Sequence, residues 1–228
     1  MTKLFCILLF VSFHCMAQKL VVREEVKLLA LGDSYTIGES VASSSRWPIQ
    51  LVDSLQKRGV DCLQPKLIAT TGWRTDNLKN AISRTKFKKD EQYNLVSLLI
   101  GVNNYYQGKS VESYAPEFED LLKTALQLAG GDKSAVFVLS IPDYGYTPFG
   151  KEKQQTISEG IDAYNAVNKS ISDKYGVKYY NITDISRRGL DEPDLVAADG
   201  LHPSEKMYSL WVQVILSEIT IVPQKDER

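Results

Sequence analysis

The stretch Leu95-Val96-Ser97-Leu98-Leu99-Ile100 is apolar at every position except Ser97. A strand that faces solvent on one side alternates apolar and polar residues, whereas a strand covered on both sides does not. Strands of the second kind belong to parallel sheets that have helices packed on both faces. This stretch therefore predicts a strand in the interior of an α/β fold.

Four more apolar runs, rich in β-branched or aliphatic residues, predict further strands at residues 26–31, 65–69, 135–141 and 177–182. Segments with apolar residues three and four apart predict helices at residues 48–57, 76–85, 114–129 and 155–175, and a last helix after Pro203. Strands that alternate with helices form parallel sheets. Because the chain has no internal repeat and no long linker, we expect one three-layer domain with a five-stranded parallel sheet.

The first residues have the pattern of a secretory signal peptide. Lys3 provides a positive charge, residues 4–13 are apolar, and small residues up to Ala17 resemble a cleavage site. The apolar stretch is too short to span a bilayer comfortably, which favours cleavage over an uncleaved anchor. We expect a signal peptide at residues 1–17, one domain at residues 18–228 and no stable membrane span. Lipid attachment at Cys15 stays open, although the preceding residues fit a lipoprotein signal poorly.

The number of cysteines and the charge of the chain indicate the compartment and the kind of partner to expect. Two of the three cysteines lie in the expected signal peptide, which leaves Cys62 and no internal disulfide. Export without disulfides suits a bacterial periplasm or surface, so we expect a periplasmic or extracellular protein. The chain carries 27 basic and 28 acidic side chains, and its basic cluster at residues 79–89 is followed by Asp90 and Glu91. This pattern favours a solvated helix face, and no nucleic-acid partner is expected.

Polar motifs follow three of the predicted strands. Gly-Asp-Ser at residues 32–34 follows the first, Thr-Thr-Gly-Trp at 70–73 the second, and Gly-Val-Asn-Asn at 101–104 the third. Ligands of open parallel sheets bind beyond the carboxyl ends of the strands. Because all three motifs fall at such ends, the sequence predicts that they share one functional site.

Ser34 and His202 are the candidates for the chemistry of that site. A serine hydroxyl is a poor nucleophile near neutral pH, so a base must take its proton. His202 is the single histidine of residues 18–228, and Asp199 lies three residues before it, close enough to orient the imidazole. Two alternatives stay open: a lone histidine is often structural, and Asp199 could instead cap the helix that begins near Pro203.

Four blocks of this sequence resemble those of the SGNH, or GDSL, hydrolase superfamily: residues 32–39, Gly72, residues 101–103 and residues 199–203. The resemblance implies a flavodoxin-like three-layer α/β/α sandwich. It also implies hydrolysis of esters or thioesters through an acyl-enzyme, with Ser34, Asp199 and His202 as catalytic residues. The same resemblance assigns the oxyanion hole to the backbone N–H groups of Ser34 and Gly72 and the side-chain amide of Asn103.

Two residues depart from the pattern of that superfamily. Asn104 stands where an acid commonly follows the asparagine, and Tyr35 replaces the usual aliphatic residue after the serine. Neither change removes a proposed catalytic atom. The first raises the question of which hydrogen bonds hold the asparagine loop, and the second concerns packing beneath the site.

Other kinds of site have weaker support. The motif around Ser34 lacks the second glycine of G-x-S-x-G, so the common α/β-hydrolase elbow is not indicated. Asp199 and His202 could be two metal ligands, but one histidine without a cysteine cluster is a poor basis for a zinc centre. We expect no metal and no cofactor.

Six aromatic residues in predicted loops could line an acyl slot, stack on sugar rings or cover the edges of the core: Trp73, Tyr105, Tyr106, Tyr144, Tyr146 and Phe149. We expect four of them to bind substrate, namely Trp73, Tyr105, Tyr144 and Tyr146. The preferred hypothesis is an exported serine esterase acting on small-molecule or carbohydrate esters, with short-chain acyl or acetylated sugar esters favoured. A lysophospholipase, thioesterase or acyltransferase of the same fold, and a non-catalytic carbohydrate-binding domain, are the alternatives. The oligomeric state is left open.

Overall fold

A five-stranded parallel sheet lies between helices in the computed structural model, which describes residues 18–23, 25–88 and 92–222. The described residues form seven strands: β1 Leu20–Arg23, β2 Leu28–Gly32, β3 Lys66–Ala69, β4 Leu95–Leu99, β5 Val136–Leu139, β6 Lys178–Tyr180 and β7 Ile219–Val222. They also form eight α-helices: α1 Ser34–Ile37, α2 Trp47–Gln56, α3 Thr75–Arg84, α4 Val102–Tyr106, α5 Val111–Leu128, α6 Gln154–Tyr175, α7 Thr183–Ser186 and α8 Glu205–Ser217. The expected signal peptide at residues 1–17 lies outside the described residues.

The strands of the main sheet are ordered β3-β2-β4-β5-β6, with β4 in the middle. All five residues of β4 are buried, as the uninterrupted apolarity of this segment indicates. The predicted three-layer α/β fold with five parallel strands is confirmed. Because the chain places β3 on one side of β2 and then returns to place β4 on the other, the strand order reverses between β2 and β4. Such a reversal opens a crevice at the carboxyl ends of the strands.

Helices form the two outer layers. On one side, α2 packs against α8, and Trp47 of α2 meets Phe137 of β5 edge to face, with the ring centroids 6.2 Å apart. On the other, α5 packs against α3 and α6, with the rings of Tyr114 and Tyr164 only 4.4 Å apart. Within the described ranges, no helix is long and apolar enough to cross a membrane.

The ends of several elements differ from the predicted ones. The helix predicted at residues 114–129 begins earlier, at Val111, because the side chain of Ser110 accepts the N–H of Ser113. The strand predicted at residues 177–182 ends at Tyr180. Ile182 and Thr183 donate their N–H groups to the Ser140 hydroxyl instead of to a neighbouring strand.

A second, two-stranded sheet was missing from the sequence prediction. In it β1 pairs in parallel with β7, with Leu20 opposite Ile219. Both strands have four residues, and each is partly exposed. Short, half-covered strands have too few apolar residues to stand out from the surrounding sequence.

Leu98, in the middle of β4, tests how far stability depends on the central strand. The side chain is fully buried. We expect Leu98→Ala to lower the free energy of unfolding by about 2–5 kcal/mol, because it leaves a cavity inside a close-packed core. Leu63→Ala is the matched control, since Leu63 is 46% exposed, and it should change stability by less than about 0.5 kcal/mol. Urea unfolding of both variants measures the difference, and equal losses would contradict this assignment of the core.

Candidate active site

Ser34 lies at the turn between β2 and α1. It is the first residue of the helix, so its backbone N–H has no acceptor within the helix. Asp33 caps the helix by accepting the N–H of Tyr35 at 3.0 Å. Gly32 permits the tight turn, since a Cβ there would lie 2.6 Å from the carbonyl oxygen of Leu99 on β4. The local sequence thus holds the Ser34 side chain at the crevice.

A cavity of about 290 Å³ opens beside Ser34. It is lined by residues from each of the four sequence blocks and by several aromatic and aliphatic side chains: Ser34, Tyr35, Thr71, Gly72, Val102, Asn103, Tyr106, Tyr144, Phe149, Leu201 and His202. The structure therefore brings together residues that lie as much as 168 positions apart in the chain. Asp199 does not line the cavity but lies behind His202.

Asp199 and His202 are joined by a short hydrogen bond. Asp199 Oδ2 lies 2.6 Å from Nδ1 of His202, and Asp199 Oδ1 accepts the backbone N–H groups of Leu201 and His202. Because the carboxylate accepts at Nδ1, the neutral ring has its lone pair at Nε2. The alternative role of Asp199 as a helix cap is not observed, because Ser204 caps α8.

The Asp199 carboxylate also accepts a hydrogen bond that the sequence did not reveal. Ser40 Oγ donates to Asp199 Oδ2 over 2.6 Å. Partial burial raises the pKa of Asp199, but the hydrogen bonds from Ser40, His202 and the backbone outweigh it and hold this pKa well below its usual range. The acid is therefore ionised throughout the range in which an imidazole titrates.

His202 is held from its other side by Tyr35. The two rings meet edge to face with their centroids 5.9 Å apart, so Tyr35 fills the space beside the imidazole. In the part of the chain that the structure describes, no hydrogen bond joins the Ser34 hydroxyl to the imidazole. Catalytic hydrogen bonds are often long before substrate binds, and both groups line the same cavity.

Gly72 and Asn103 also line the cavity. Gly72 has a φ of +81°, which favours glycine, and a Cβ there would meet no atom within 4 Å. Its backbone is therefore open to an incoming group. Asn103 Nδ2 donates one hydrogen to the carbonyl oxygen of Trp73 over 3.0 Å, which leaves its second hydrogen for another acceptor.

Asn104 anchors α4, the short helix that also carries Asn103. Its side chain accepts the N–H of Thr75 at 3.1 Å and donates to the Thr75 hydroxyl at 2.6 Å, and that hydroxyl donates to Glu117. Asn104 is almost fully buried. An amide supplies both an acceptor and a donor here, so α4 is anchored without the acid that commonly stands at this position.

The aromatic residues expected to bind substrate take different positions. Tyr144 lines the cavity beside Ser34, whereas Tyr105 lines only a neighbouring cavity, and Trp73 and Tyr146 line neither. Tyr105 instead packs on Tyr164 and donates its hydroxyl to the carbonyl oxygen of Thr156. Two other aromatics of the same loops, Tyr106 and Phe149, take the lining positions. Adjacent residues of α4 point in different directions, and sequence alone did not indicate which one faces the cavity.

No metal centre is evident in the described residues, since they contain no group of three or more His, Cys, Asp or Glu side chains able to hold an ion. The chemistry available at the site is that of a hydroxyl, an imidazole, a carboxylate and several N–H donors.

Comparison with known proteins assigns this arrangement to a family. The sequence pattern of the GDSL-like lipase/acylhydrolase family matches residues 30–210, which is most of the chain. The chain belongs to this family. It is accordingly a serine ester hydrolase that acts on small-molecule esters. No curated protein matches the chain in sequence.

Several solved structures have a similar fold. TesA superimposes with a TM-score of 0.66 at 17% identity, covering 84% of this GDSL-like chain and 97% of its own. The acetylxylan esterase Axe2 from Geobacillus stearothermophilus gives 0.67 at 18% identity, covering 89% and 96%. The psychrotrophic esterase EstA from Pseudoalteromonas sp. gives 0.60 at 16% identity, covering 84% and 95%. At these identities the likeness shows the shared fold.

Asp33 makes the stability of this GDSL-like hydrolase depend on pH. Complete burial raises the pKa of Asp33 to about 7, against the lowering effect of the hydrogen bond from Tyr35. Between about pH 4 and 7 the folded state therefore binds the proton that the unfolded state has lost, so stability falls as pH rises. Asp33 changes the free energy of unfolding by at most about 1.4 kcal/mol per pH unit, which is the value for one proton bound by the folded state alone.

Asp33→Asn should remove this contribution while keeping an oxygen for the Tyr35 N–H. We expect the variant to gain stability relative to the native protein as pH rises from about 4 to 7, as measured by urea unfolding at four pH values. Asp191→Asn, at an exposed aspartate, is the control and should show a constant difference. A constant difference for Asp33→Asn as well would show that this carboxyl is not protonated in the fold.

Proposed function

We propose that this protein is an exported serine esterase that forms an acyl-enzyme on Ser34 and removes short acyl groups from sugars. The observation that carries the proposal is the 2.6 Å hydrogen bond that His202 Nδ1 donates to Asp199 Oδ2, with His202 and Ser34 lining one cavity. This bond supplies an imidazole of fixed tautomer in the cavity that the Ser34 side chain also lines.

In the proposed reaction, His202 Nε2 takes the proton of Ser34 as Oγ attacks the ester carbonyl carbon. The tetrahedral intermediate collapses, the bond to the alkoxy group breaks, and the leaving alcohol receives the proton from His202. A water molecule then attacks the acyl-enzyme and gives its proton to the same imidazole. The second tetrahedral intermediate collapses, the bond between the acyl carbon and Ser34 Oγ breaks, and His202 returns its proton to Oγ as the carboxylic acid leaves. Asp199 stays ionised throughout and stabilises the imidazolium.

The negative charge that develops on the carbonyl oxygen needs donors. We assign this task to the backbone N–H groups of Ser34 and Gly72 and to the free side-chain hydrogen of Asn103. The Trp73 carbonyl fixes the orientation of that amide before substrate arrives. Each pre-oriented donor can lower the barrier by about 3 kcal/mol, because it pays no reorganisation cost during the reaction.

The size and neighbours of the cavity support a small acyl group on a larger alcohol. A second cavity of about 410 Å³ shares Tyr106, Tyr144 and Phe149 with the first, so the three rings stand between the two spaces. Tyr106 and Phe149 are 60% and 53% exposed, which leaves broad aromatic surface open to a ligand. Glu152 and Lys153 also line the second cavity.

A sugar matches this combination. Its C–H faces can pack on the exposed rings and its hydroxyl groups can bond the charged side chains beside them, whereas a long acyl chain needs apolar walls throughout. The proposed assignment places the acyl group beside Ser34 and the glycan in the second cavity. Export rests on the signal-peptide pattern of residues 1–17, and sequencing of secreted protein beginning at Gln18 would test it.

The nucleophile is tested by Ser34→Ala. We expect hydrolysis of p-nitrophenyl acetate to fall by at least about 10³-fold, because water alone cannot replace the acyl-enzyme route. Ser44→Ala, at an exposed serine of a nearby turn, is the control and should keep native activity. Undiminished turnover by Ser34→Ala, or a fluorophosphonate probe attached to a different residue, would refute the mechanism.

The sugar assignment is tested by Tyr106→Ala and Phe149→Ala. Each should lower kcat/KM for an acetylated oligosaccharide by about fivefold, as the loss of one aromatic contact implies, and leave p-nitrophenyl acetate almost unaffected. Leu63→Ala, at the opposite end of the sheet, serves as the control for loss of an exposed apolar side chain. If both variants instead lose activity mainly on long-chain esters, the second cavity binds acyl chains.

A further inference from the structure

Ser40 has an unusual backbone. Its φ is +64°, and it is the one residue other than glycine with a positive φ among those the structure describes. A side chain with a Cβ disfavours this region, which is why glycine or asparagine usually occupies it. Such a conformation persists only where the surroundings hold it in place, and it often marks a functional site.

The contacts of Ser40 and its neighbour Glu39 show what holds the loop that follows α1. Ser40 Oγ donates to Asp199 Oδ2, the same oxygen that meets Nδ1 of His202, and both separations are 2.6 Å. Glu39 accepts a hydrogen bond from the hydroxyl of Thr71, the residue before Gly72. Glu39 and Ser40 therefore connect the segment after Ser34 to the turn that contains Gly72 and to Asp199.

The backbone of this loop directs the two side chains to different targets. Gly38 ends α1 in the left-handed conformation with a φ of +72°, and both Gly38 and Glu39 donate their N–H groups to the Ser34 carbonyl. A second left-handed residue at Ser40 turns the chain again immediately afterwards. Because the loop is bonded to Ser34 itself, the position of the Ser40 hydroxyl is set relative to the nucleophile.

We propose that Ser40 is a positioning residue of the hydrolytic site. Its hydroxyl holds the Asp199 carboxylate, and through it the imidazole of His202, in the orientation that directs Nε2 into the cavity. This inference rests on the proposed function, since it assumes that Asp199 and His202 work with Ser34. It adds a residue that lies outside the four blocks by which this chain resembles the superfamily.

Loss of the Ser40 hydroxyl should also be visible in the pH dependence of catalysis. A hydrogen bond donated to Asp199 Oδ2 draws negative charge away from that oxygen, so the carboxylate stabilises the protonated imidazole less strongly. Removal of the hydroxyl should make His202 hold its proton to higher pH. The titratable and charged groups around this pair include Tyr35, whose ring packs against His202, and Tyr208, which interacts with Asp199. Tyr208 also interacts with Asp33, Glu39 and Arg46. None of these side chains is altered when Ser40 is replaced.

Two replacements separate the hydroxyl from the backbone. Ser40→Ala removes the hydroxyl and keeps a Cβ that disfavours the positive φ. Ser40→Gly also removes the hydroxyl, but glycine adopts a positive φ without strain. With p-nitrophenyl acetate, both should lower kcat by about five- to tenfold with little change in KM, and both should move the acid limb of the pH–rate profile upward by about 0.5 pH unit. Ser40→Gly should nevertheless unfold at a higher urea concentration than Ser40→Ala.

Three outcomes would overturn the proposal. They are native kcat and an unmoved acid limb in both variants, recovery of kcat in Ser40→Gly alone, which would make the backbone the sole cause, and equal losses in Ser44→Ala. A readout independent of catalysis is the proton NMR titration of His202 in a chain carrying His14→Gln, where it is the single histidine. The titration midpoint should rise on Ser40→Ala. Full activity in Ser34→Ala would refute the proposed function while leaving this NMR result interpretable.

Discussion

The parallel pairing of β2 with β4 determines where the site can form. Its register sets Gly32 opposite Leu99, so the two strands end side by side. The chain must then leave the sheet at the same level twice, once into the helix that begins with Ser34 and once into α4, the short helix that carries Asn103. Gly32 allows the Leu99 carbonyl to come close enough for this. The nucleophile and its proposed oxyanion donor are neighbours because these two strands are.

The wall of the cavity is fixed by buried polar groups. Asp143, fully buried, accepts the N–H of Gly145 at 2.9 Å and bonds the hydroxyl of Ser158 on α6 at 2.7 Å. It also accepts Nε of Arg187 at 3.0 Å, so the carboxylate is paired inside the protein. These bonds hold the short turn that begins with Tyr144. The turn that carries the Tyr144 ring is therefore bonded to α6 and to the residue that follows α7, and these bonds hold the ring in the cavity wall.

Sequence patterns predicted what depends on local or strongly repeated signals. Strands buried on both faces stand out as apolar runs, and the spacing of Asp199 and His202 is short enough to bring them together in one turn. The contact of Ser40 with Asp199 joins residues 159 positions apart and requires a left-handed residue, so no local pattern indicates it. The choice of Tyr106 over Tyr105 as a lining residue of the cavity beside Ser34 depends on the rotation of α4, which composition does not reveal.

The pairing of β1 with β7 has a consequence for the order of assembly. The strand translated first among those described finds its partner in the strand translated last, so its backbone groups lack a sheet partner while the rest of the domain is being made. Apolar side chains of β1, such as Leu20 and Val22, join the core at the same late step. The start of the described chain thus gains its sheet partner only after residues 219–222 have been made, which makes this pairing a late step of folding.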